Sequence, residues 1–254
     1  MKRFKEILPF SHCIKGLILF FAFNTTSLWA ITPSCSIPLA MGNNQWNMIS
    51  LPCNPGAENT VSNIFGDELP IESYETSWAV FKYVLEDGTS SYSPVALDEV
   101  LELGKGYWAI QVTGSPIDIY LPGSSTPTDS DLTAGSGPCL SSSAQGCFIT
   151  SQQQGSPWQI NGNPFQYDVA WNTLRVTDGL PCRVWFLGNG CDIEDAEETY
   201  KPQGWRYNPV TSNYETLSGA TPIHPWDGYW GYLIGGGLFD GFDQWSWTII
   251  TPKP

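Results

Sequence analysis

Two short runs, Cys35–Gly42 and Trp46–Cys53, flank the polar stretch Gly42-Asn43-Asn44-Gln45. That arrangement is a hairpin signal. In the second run Trp46, Met48 and Ser50 fall on one face, and Asn47, Ile49 and Leu51 on the other. Both faces are partly apolar, as for a strand inside a sandwich or barrel. Phe81–Leu85 and Ser90–Ser93 flank Asp87-Gly88, a tight-turn dipeptide. Further strands are predicted at Tyr107–Val112, at Ile117–Leu121 ahead of Pro122, and at Trp245–Thr251 ahead of Pro252. Helix is minor. Val61, Ile64 and Phe65 have helical spacing closed by Gly66, and Leu97–Leu103 reads as two further turns closed by Gly104.

The pattern occurs twice. Cys35, Ile37, Trp46 and Pro52 recur as Cys147, Ile149, Trp158 and Pro164, all at an offset of 112. Gly106-Tyr107-Trp108 recurs as Gly228-Tyr229-Trp230, at an offset of 122. Between them, Phe81-Lys82-Tyr83 followed by Tyr92 matches Trp205-Arg206-Tyr207 followed by Tyr214, with the second turn at Asn208-Pro209. A period of this size is a duplicated domain and not a solenoid. The second copy replaces Leu97–Leu103 with a segment holding Pro222 and Pro225, which disfavours helix there. Gly123–Pro138, rich in Ser, Thr, Gly and Pro, reads as a linker. The expectation is an all-β chain of two tandem related β-sandwich or barrel-like domains with short helical turns. Their spans are 31–134 and 135–254, the second with an inserted disulfide hairpin.

Residues 1–30 read as an export signal: Lys2, Arg3, Lys5 and Lys15, then the apolar Gly16–Phe23, then a polar stretch ending at Ala30. The apolar run is too short to span a bilayer. Removing the segment takes four of the 11 basic and one of the 25 acidic residues, so the charge moves from −14 to −17. Such a chain is repelled by nucleic acid and by anionic headgroups. It is expected outside the cytoplasm, whether secreted, periplasmic or on the cell surface, with no transmembrane segment after cleavage.

Cleavage also leaves six of the seven cysteines, an even number that argues for disulfides. Six cysteines allow fifteen connectivities. Cys35 and Cys53 are equidistant from Asn44, which favours their pairing across the first hairpin. The position matching Cys53 in copy 2 is Phe165, so Cys147 turns to Cys139, and Cys182 with Cys191 closes a loop through Leu187–Gly190. The alternative, a cysteine metal site, lacks any Cys-x-x-Cys or paired His spacing.

At Trp46-Asn47-Met48-Ile49-Ser50-Leu51-Pro52 and Gly104-Lys105-Gly106-Tyr107-Trp108 the chain resembles a loosely defined group of exported bacterial β-repeat proteins. The resemblance implies a secreted or surface β-domain and supplies no catalytic residues. Copy 2 departs from it, with Pro225-Trp226-Asp227 where copy 1 has Leu103-Gly104-Lys105.

Catalytic signals are thin. After cleavage His224 is the one histidine left, and no Gly-x-Ser-x-Gly elbow accompanies it, although Asp227 lies three residues on. Paired carboxylates for glycoside hydrolysis would arise by chance among so many acids, and nothing in the repeat selects a pair. The run Asp192, Glu194, Asp195, Glu197 and Glu198 could hold Ca²⁺, but lacks the ordered spacing of a dedicated loop, and a solvated loop is the simpler reading. Otherwise no cofactor is expected. Aromatic density is the main functional clue, because Trp and Tyr faces stack on sugar rings. The repeated Trp46, Trp108, Trp158 and Trp230 read as core, as do Trp245 and Trp247. Trp185, Trp226 and Tyr214 are the candidate binding residues. The expected role is non-catalytic binding or structure, with a glycan or another exported protein as partner. The alternative is a secreted polysaccharide hydrolase with carboxylates not yet identified.

Overall fold

The structure, a computed structural model, describes residues 35–129, 139, 145–152, 156–177, 191–196, 200–234 and 248–253. The expected signal (1–30), the domain boundary near Gly135, and Cys182, Trp185, Trp245 and Trp247 lie outside these residues. Repeat 1 contains β1 (Leu39–Met41), β2 (Gln45–Ile49), α1 (Val61–Phe65), β3 (Trp78–Glu86), β4 (Thr89–Pro94), β5 (Tyr107–Gln111) and β6 (Ile117–Ile119). Repeat 2 contains β7 (Cys147–Ser151), β8 (Trp158–Gly162), β9 (Val169–Ala170), β10 (Arg175–Thr177), β11 (Cys191–Asp192), β12 (Gly204–Asn208), β13 (Asn213–Leu217), β14 (Pro222–Ile223), β15 (Gly228–Tyr232) and β16 (Thr248–Pro252). The fold is all-β, built of antiparallel sheets in sandwich-like layers, and no sheet of the described residues closes into a barrel.

The duplication extends to hydrogen-bond register. One sheet has the order β2-β5-β3-β4 and another the order β8-β15-β12-β13. Met48 lies opposite Trp108, and Ile160 opposite Trp230. Phe81 pairs with Trp108 as Trp205 pairs with Trp230. Tyr83 pairs with Tyr92 as Tyr207 pairs with Tyr214. Because strand side chains alternate between faces, equal register puts equivalent residues on equivalent faces. In repeat 1 the inner face carries Ile49, Trp78, Val80, Tyr107 and Ala109 into a core shared with Leu39, Met41, Phe65 and Ile119. The outer face carries Trp46, Met48, Phe81, Tyr83, Tyr92 and Trp108. Repeat 2 has its own core around Trp171, Tyr200, Leu217, Tyr229 and Ile249.

Two expectations about local structure need correction. The first pair of strands is not a hairpin: β1 pairs with β6, and β2 pairs with β5. The chain turns at Asn44, which has a φ of 55°, and passes from one layer to the other. Leu39 and Met41 thereby enter the core from one side and Ile49 from the opposite side. Repeat 2 repeats the switch, with β7 on β16 and β8 on β15. The second correction is Leu97–Leu103, which is not helical. Its backbone bonds sideways instead. Ser62 N donates to Leu97 O at 2.9 Å, Val61 N to Glu99 O at 3.2 Å, and Leu101 N to Asn59 O at 2.8 Å. The donors of Val61 and Ser62 are among those that the first turn of α1 leaves unpaired, so this segment completes that helix.

Other expectations stand. Asp87 and Gly88 both have positive φ, 51° and 74°, as the tight turn between β3 and β4 requires. Cys35 bonds to Cys53 and Cys139 to Cys147. The first of these ties the layer of β1 to the end of β2 and does not staple a hairpin. The start of the linker is fixed to repeat 1: Asn54 and Thr126 exchange two backbone hydrogen bonds of 2.9 Å. No helix among the described residues is long and apolar enough to cross a membrane.

The described residues belong to one compact unit, Pro33–Pro254. Within it the repeats are joined by a seam with approximate two-fold character. Ile49 bridges to Asp227, and Asn161, the equivalent of Ile49, bridges to Lys105, the equivalent of Asp227. Ser50 N donates to Trp226 O at 2.9 Å, and Gly162 N donates to Gly104 O at 2.9 Å. The repeated Gly-Tyr-Trp blocks owe their glycines to this seam. A Cβ on Gly106 would lie 2.6 Å from Asn161 O, and one on Gly228 would lie 2.9 Å from Ile49 O. Both are closer than a carbon can approach a carbonyl oxygen.

Candidate functional site

The outer faces of the two matching sheets meet across the seam. Met48, Trp108, Ile160 and Trp230 are buried at the centre, with Phe81, Tyr83, Trp205 and Tyr207 packed around them. Rings interlock in matched pairs. Tyr83 stands edge-on to Trp230 at 5.0 Å, and Tyr207 to Trp108 at 5.1 Å. These are the geometries that the ring quadrupole favours.

The contact does not cover either face completely. Each flank leaves a cleft. The first, about 290 Å³, is lined by Trp46, Phe81, Tyr92, Trp108 and Tyr207. The second, about 500 Å³, is lined by Trp158, Trp205, Trp230, Tyr83, Tyr92 and Tyr214, with Ser90 and Ser91. Trp46 and Trp158 occupy equivalent places on the edge strands β2 and β8. Each is braced by the same neighbours: Trp46 by Phe81 at 5.6 Å and Trp108 at 6.1 Å, Trp158 by Trp205 at 5.5 Å and Trp230 at 5.8 Å. They remain 40% and 38% exposed. Tyr92, which lines both clefts, has its phenol pKa raised by burial and by the neighbouring Tyr214. Among the described residues no charged side chain lines either cleft.

Against the sequence expectations the outcome is mixed. Tyr214 is exposed and lines the second cleft. Trp226 does not face solvent: it is 3% exposed and packs into the core of repeat 1, its Nε1 donating to Ile37 O at 2.8 Å. The loop after Pro225 crosses the seam, so an apolar ring there finds the neighbouring core before it finds water. Trp108 and Trp230 are core, as read, but Trp46 and Trp158 are not. Repetition marks a shared position, and a shared position can be a paired surface as readily as a paired core. The signal available was the company of Trp46 and Trp158: both recur together with Tyr92 and Tyr214, the other exposed aromatics of the same face.

His224 is also placed differently. Its Nδ1 lies 2.8 Å from Asp168 Oδ1, both side chains being exposed, while Asp227 accepts from the His224 backbone N–H at 2.9 Å. Asp227 is occupied by Arg206, whose Nη1 donates to it at 2.7 Å and whose Nη2 donates to Glu215 at 3.0 Å. Burial raises the Asp227 pKa against the pull of Arg206. The Asn208 amide and then Arg206 lower that of Glu215. This is a structural ion cluster.

In the acidic run, Asp192 faces Arg175 at 3.4 Å, and Glu194 accepts from Gly219 N at 2.5 Å. Glu197 and Glu198 lie outside the described residues. Among the described residues no three acidic, His or Cys side chains are grouped to hold a metal ion.

A separate polar cleft of about 270 Å³ contains Lys82, Glu99, Glu102, Lys105 and Gln159. Both of its lysines are engaged: Lys82 pairs with Glu99, and the Lys105 amine bonds to Ser151 O. Burial lowers the Lys105 pKa. No family model, curated protein or solved structure matches this chain.

Proposed function

We propose that this is an exported, non-catalytic glycan-binding protein that holds sugar rings against the aromatic walls of the two clefts. The observation that carries the reading is the matched pair Trp46 and Trp158, each braced edge-on and left exposed beside an uncharged cleft. An exposed indole face is an apolar surface that a pyranose can cover with its C–H bonds while its hydroxyls stay in water. The braced rings are already fixed, so little side-chain entropy is lost on binding. Contiguous apolar surface of this kind marks a binding site more often than it is left without a partner. The disulfides Cys35–Cys53 and Cys139–Cys147 fit an oxidising compartment, as does the basic and apolar segment at 1–30. In this reading the chain joins the exported β-repeat proteins that its motifs resemble. The hydrolase alternative finds no support in the clefts, since no carboxylate among the described residues lines either one.

The test is a titration of residues 31–254, produced in an oxidising compartment, with soluble polysaccharides followed by tryptophan fluorescence. Saturable quenching is expected, weakened in a Trp46→Ala/Trp158→Ala double variant by at least about tenfold. A flat response to every glycan overturns the reading and turns the search to protein partners.

A further inference from the structure

The two clefts share a plan but not a lining, and the difference has a cause in strand register. Beyond the matched pairs Tyr83–Tyr92 and Tyr207–Tyr214, the β3–β4 hairpin continues for three more pairs, to Glu86–Thr89. The β12–β13 hairpin continues for one, Asn208–Asn213. At about 3.3 Å per residue, the two extra pairs lengthen the first hairpin by roughly 7 Å. Val84–Ser91 and Leu85–Ser90 lie in that extension. Its Ser90 and Ser91 line the cleft that belongs to repeat 2, the Ser90 side chain on the strand face of Tyr92, and no residue of the shorter hairpin's turn lines the cleft of repeat 1. One cleft therefore has an aromatic floor with an aliphatic hydroxyl beside it. The other, about 290 Å³ against about 500 Å³, is walled among the described residues by aromatic rings.

Resting on the reading of the clefts as sugar sites, we infer that the repeat 2 cleft is the primary subsite and that it selects uncharged pyranose units. Trp158 is the stacking platform there, and Ser90, whose side chain shares the strand face of Tyr92, meets the sugar hydroxyls. A sugar needs both kinds of contact, because a ring pressed against an apolar wall loses water from its hydroxyls and those must be re-bonded. Among its described residues the repeat 1 cleft offers Trp46 and the phenols of Tyr92 and Tyr207 but no aliphatic hydroxyl, so its contribution is mainly stacking. Selection against acidic sugars follows from charge. The chain carries −14 overall, and no Lys or Arg among the described residues lines either cleft to offset a uronate or sulfate. The hydroxyl-bearing wall and the absence of charge complementarity for any ionic partner favour a neutral glycan over a charged peptide as the occupant.

The experiment compares one neutral and one uronate-bearing soluble polysaccharide, each titrated into residues 31–254 at low and at physiological salt. The variants are Trp158→Ala, Ser90→Ala/Ser91→Ala and Trp46→Ala. The expected result is saturable binding of the neutral glycan with little salt dependence. Trp158→Ala should weaken it by at least about tenfold, the double serine variant by about three- to tenfold, and Trp46→Ala by less than about threefold. Because both serines are exposed, the double variant reports on the site even if a tryptophan variant folds poorly. Equal losses in Trp46→Ala and Trp158→Ala overturn the assignment of a primary subsite and leave the sugar reading standing. Unchanged affinity in the serine variant overturns the role of the hairpin extension. Uronate binding as tight as neutral binding overturns the selectivity. A wild-type protein that binds neither glycan overturns the inference together with the reading beneath it.

Discussion

The sheet β2-β5-β3-β4 and the sheet β8-β15-β12-β13 pair the same residues in the same register, yet the loops that leave them behave differently. Gly104 precedes β5 with a φ of 73°, and its equivalent Trp226 precedes β15 with a φ of 70°. The backbone needs the left-handed conformation at both places, because both supply the carbonyl that closes the seam. Glycine adopts it freely, whereas an L-residue is destabilised there by about 1–2 kcal/mol. Trp226 more than offsets that by filling the core of repeat 1, where loss of a buried tryptophan costs about 3–5 kcal/mol. A second contrast lies one strand deeper. The Tyr107 hydroxyl accepts from Glu102 N at 2.8 Å, whereas that of its equivalent Tyr229 is buried without a partner among the described residues. The seam is alike in both repeats because each half presents the same groups to the other about one axis. The periphery carries no such constraint, and that is where the repeats diverge.

The sharpest way to break the comparison is Trp226→Ala. It keeps the strained backbone and removes the ring, so about 3–5 kcal/mol of stability should be lost, read by chemical denaturation. The destabilised core is that of repeat 1 although the substitution is in repeat 2. Hydrogen exchange should therefore rise first around Ile49, Tyr107 and Ile119. Protection lost only in repeat 2 would contradict the interlock.

Disulfide removal comes next. Loop-closure entropy assigns about 3 kcal/mol to Cys35–Cys53, which closes 18 residues, and about 2.5 kcal/mol to Cys139–Cys147, which closes 8. Paired Cys→Ser variants should lose stability in that order.

Gly106→Ala and Gly228→Ala probe the seam itself. Each pushes a methyl against the other repeat's backbone, for a loss of about 1–3 kcal/mol. Similar losses from both would sustain the two-fold character of the seam, and a large loss from one alone would break it.

The smallest effects separate the two tyrosines. Tyr107→Phe should lose about 1 kcal/mol with its hydrogen bond, and Tyr229→Phe should be neutral or stabilising. pH sharpens the same contrast. Burial raises the phenol pKa of Tyr107, Tyr200 and Tyr229 above the usual 10. Their stabilising contribution is complete below that value and is lost as pH rises from there through the folded values. Alkaline unfolding, followed by tyrosine absorbance, should therefore move to higher pH in Tyr229→Phe.

Much of the architecture was legible because it depends on local rules. Asp87-Gly88 announces a tight turn wherever it stands between alternating runs, and the offsets of 112 and 122 announce a duplication without any knowledge of its fold. The two described disulfides were also legible, although the reason offered for Cys35–Cys53 was a hairpin that does not form. The bond forms all the same, with the two Cα atoms 6.0 Å apart. The Leu97–Leu103 segment misled because its apolar spacing suits a helix, while the open donors of α1 bind it as an irregular strap.

By itself the sequence determined the strand content, the duplication and the acidic charge, because periodicity, turn chemistry and residue counts act over a few positions. Which aromatics face water was decided by the tertiary structure. Trp46 and Trp158 begin repeated strand runs and Trp226 follows Pro225 in a loop, and those local contexts pointed to the opposite fates. Their fates follow from where the seam runs: it closes over Trp226, and at its flanks it leaves Trp46 and Trp158 uncovered, because two twisted sheets in face-to-face contact cannot cover one another to the edge.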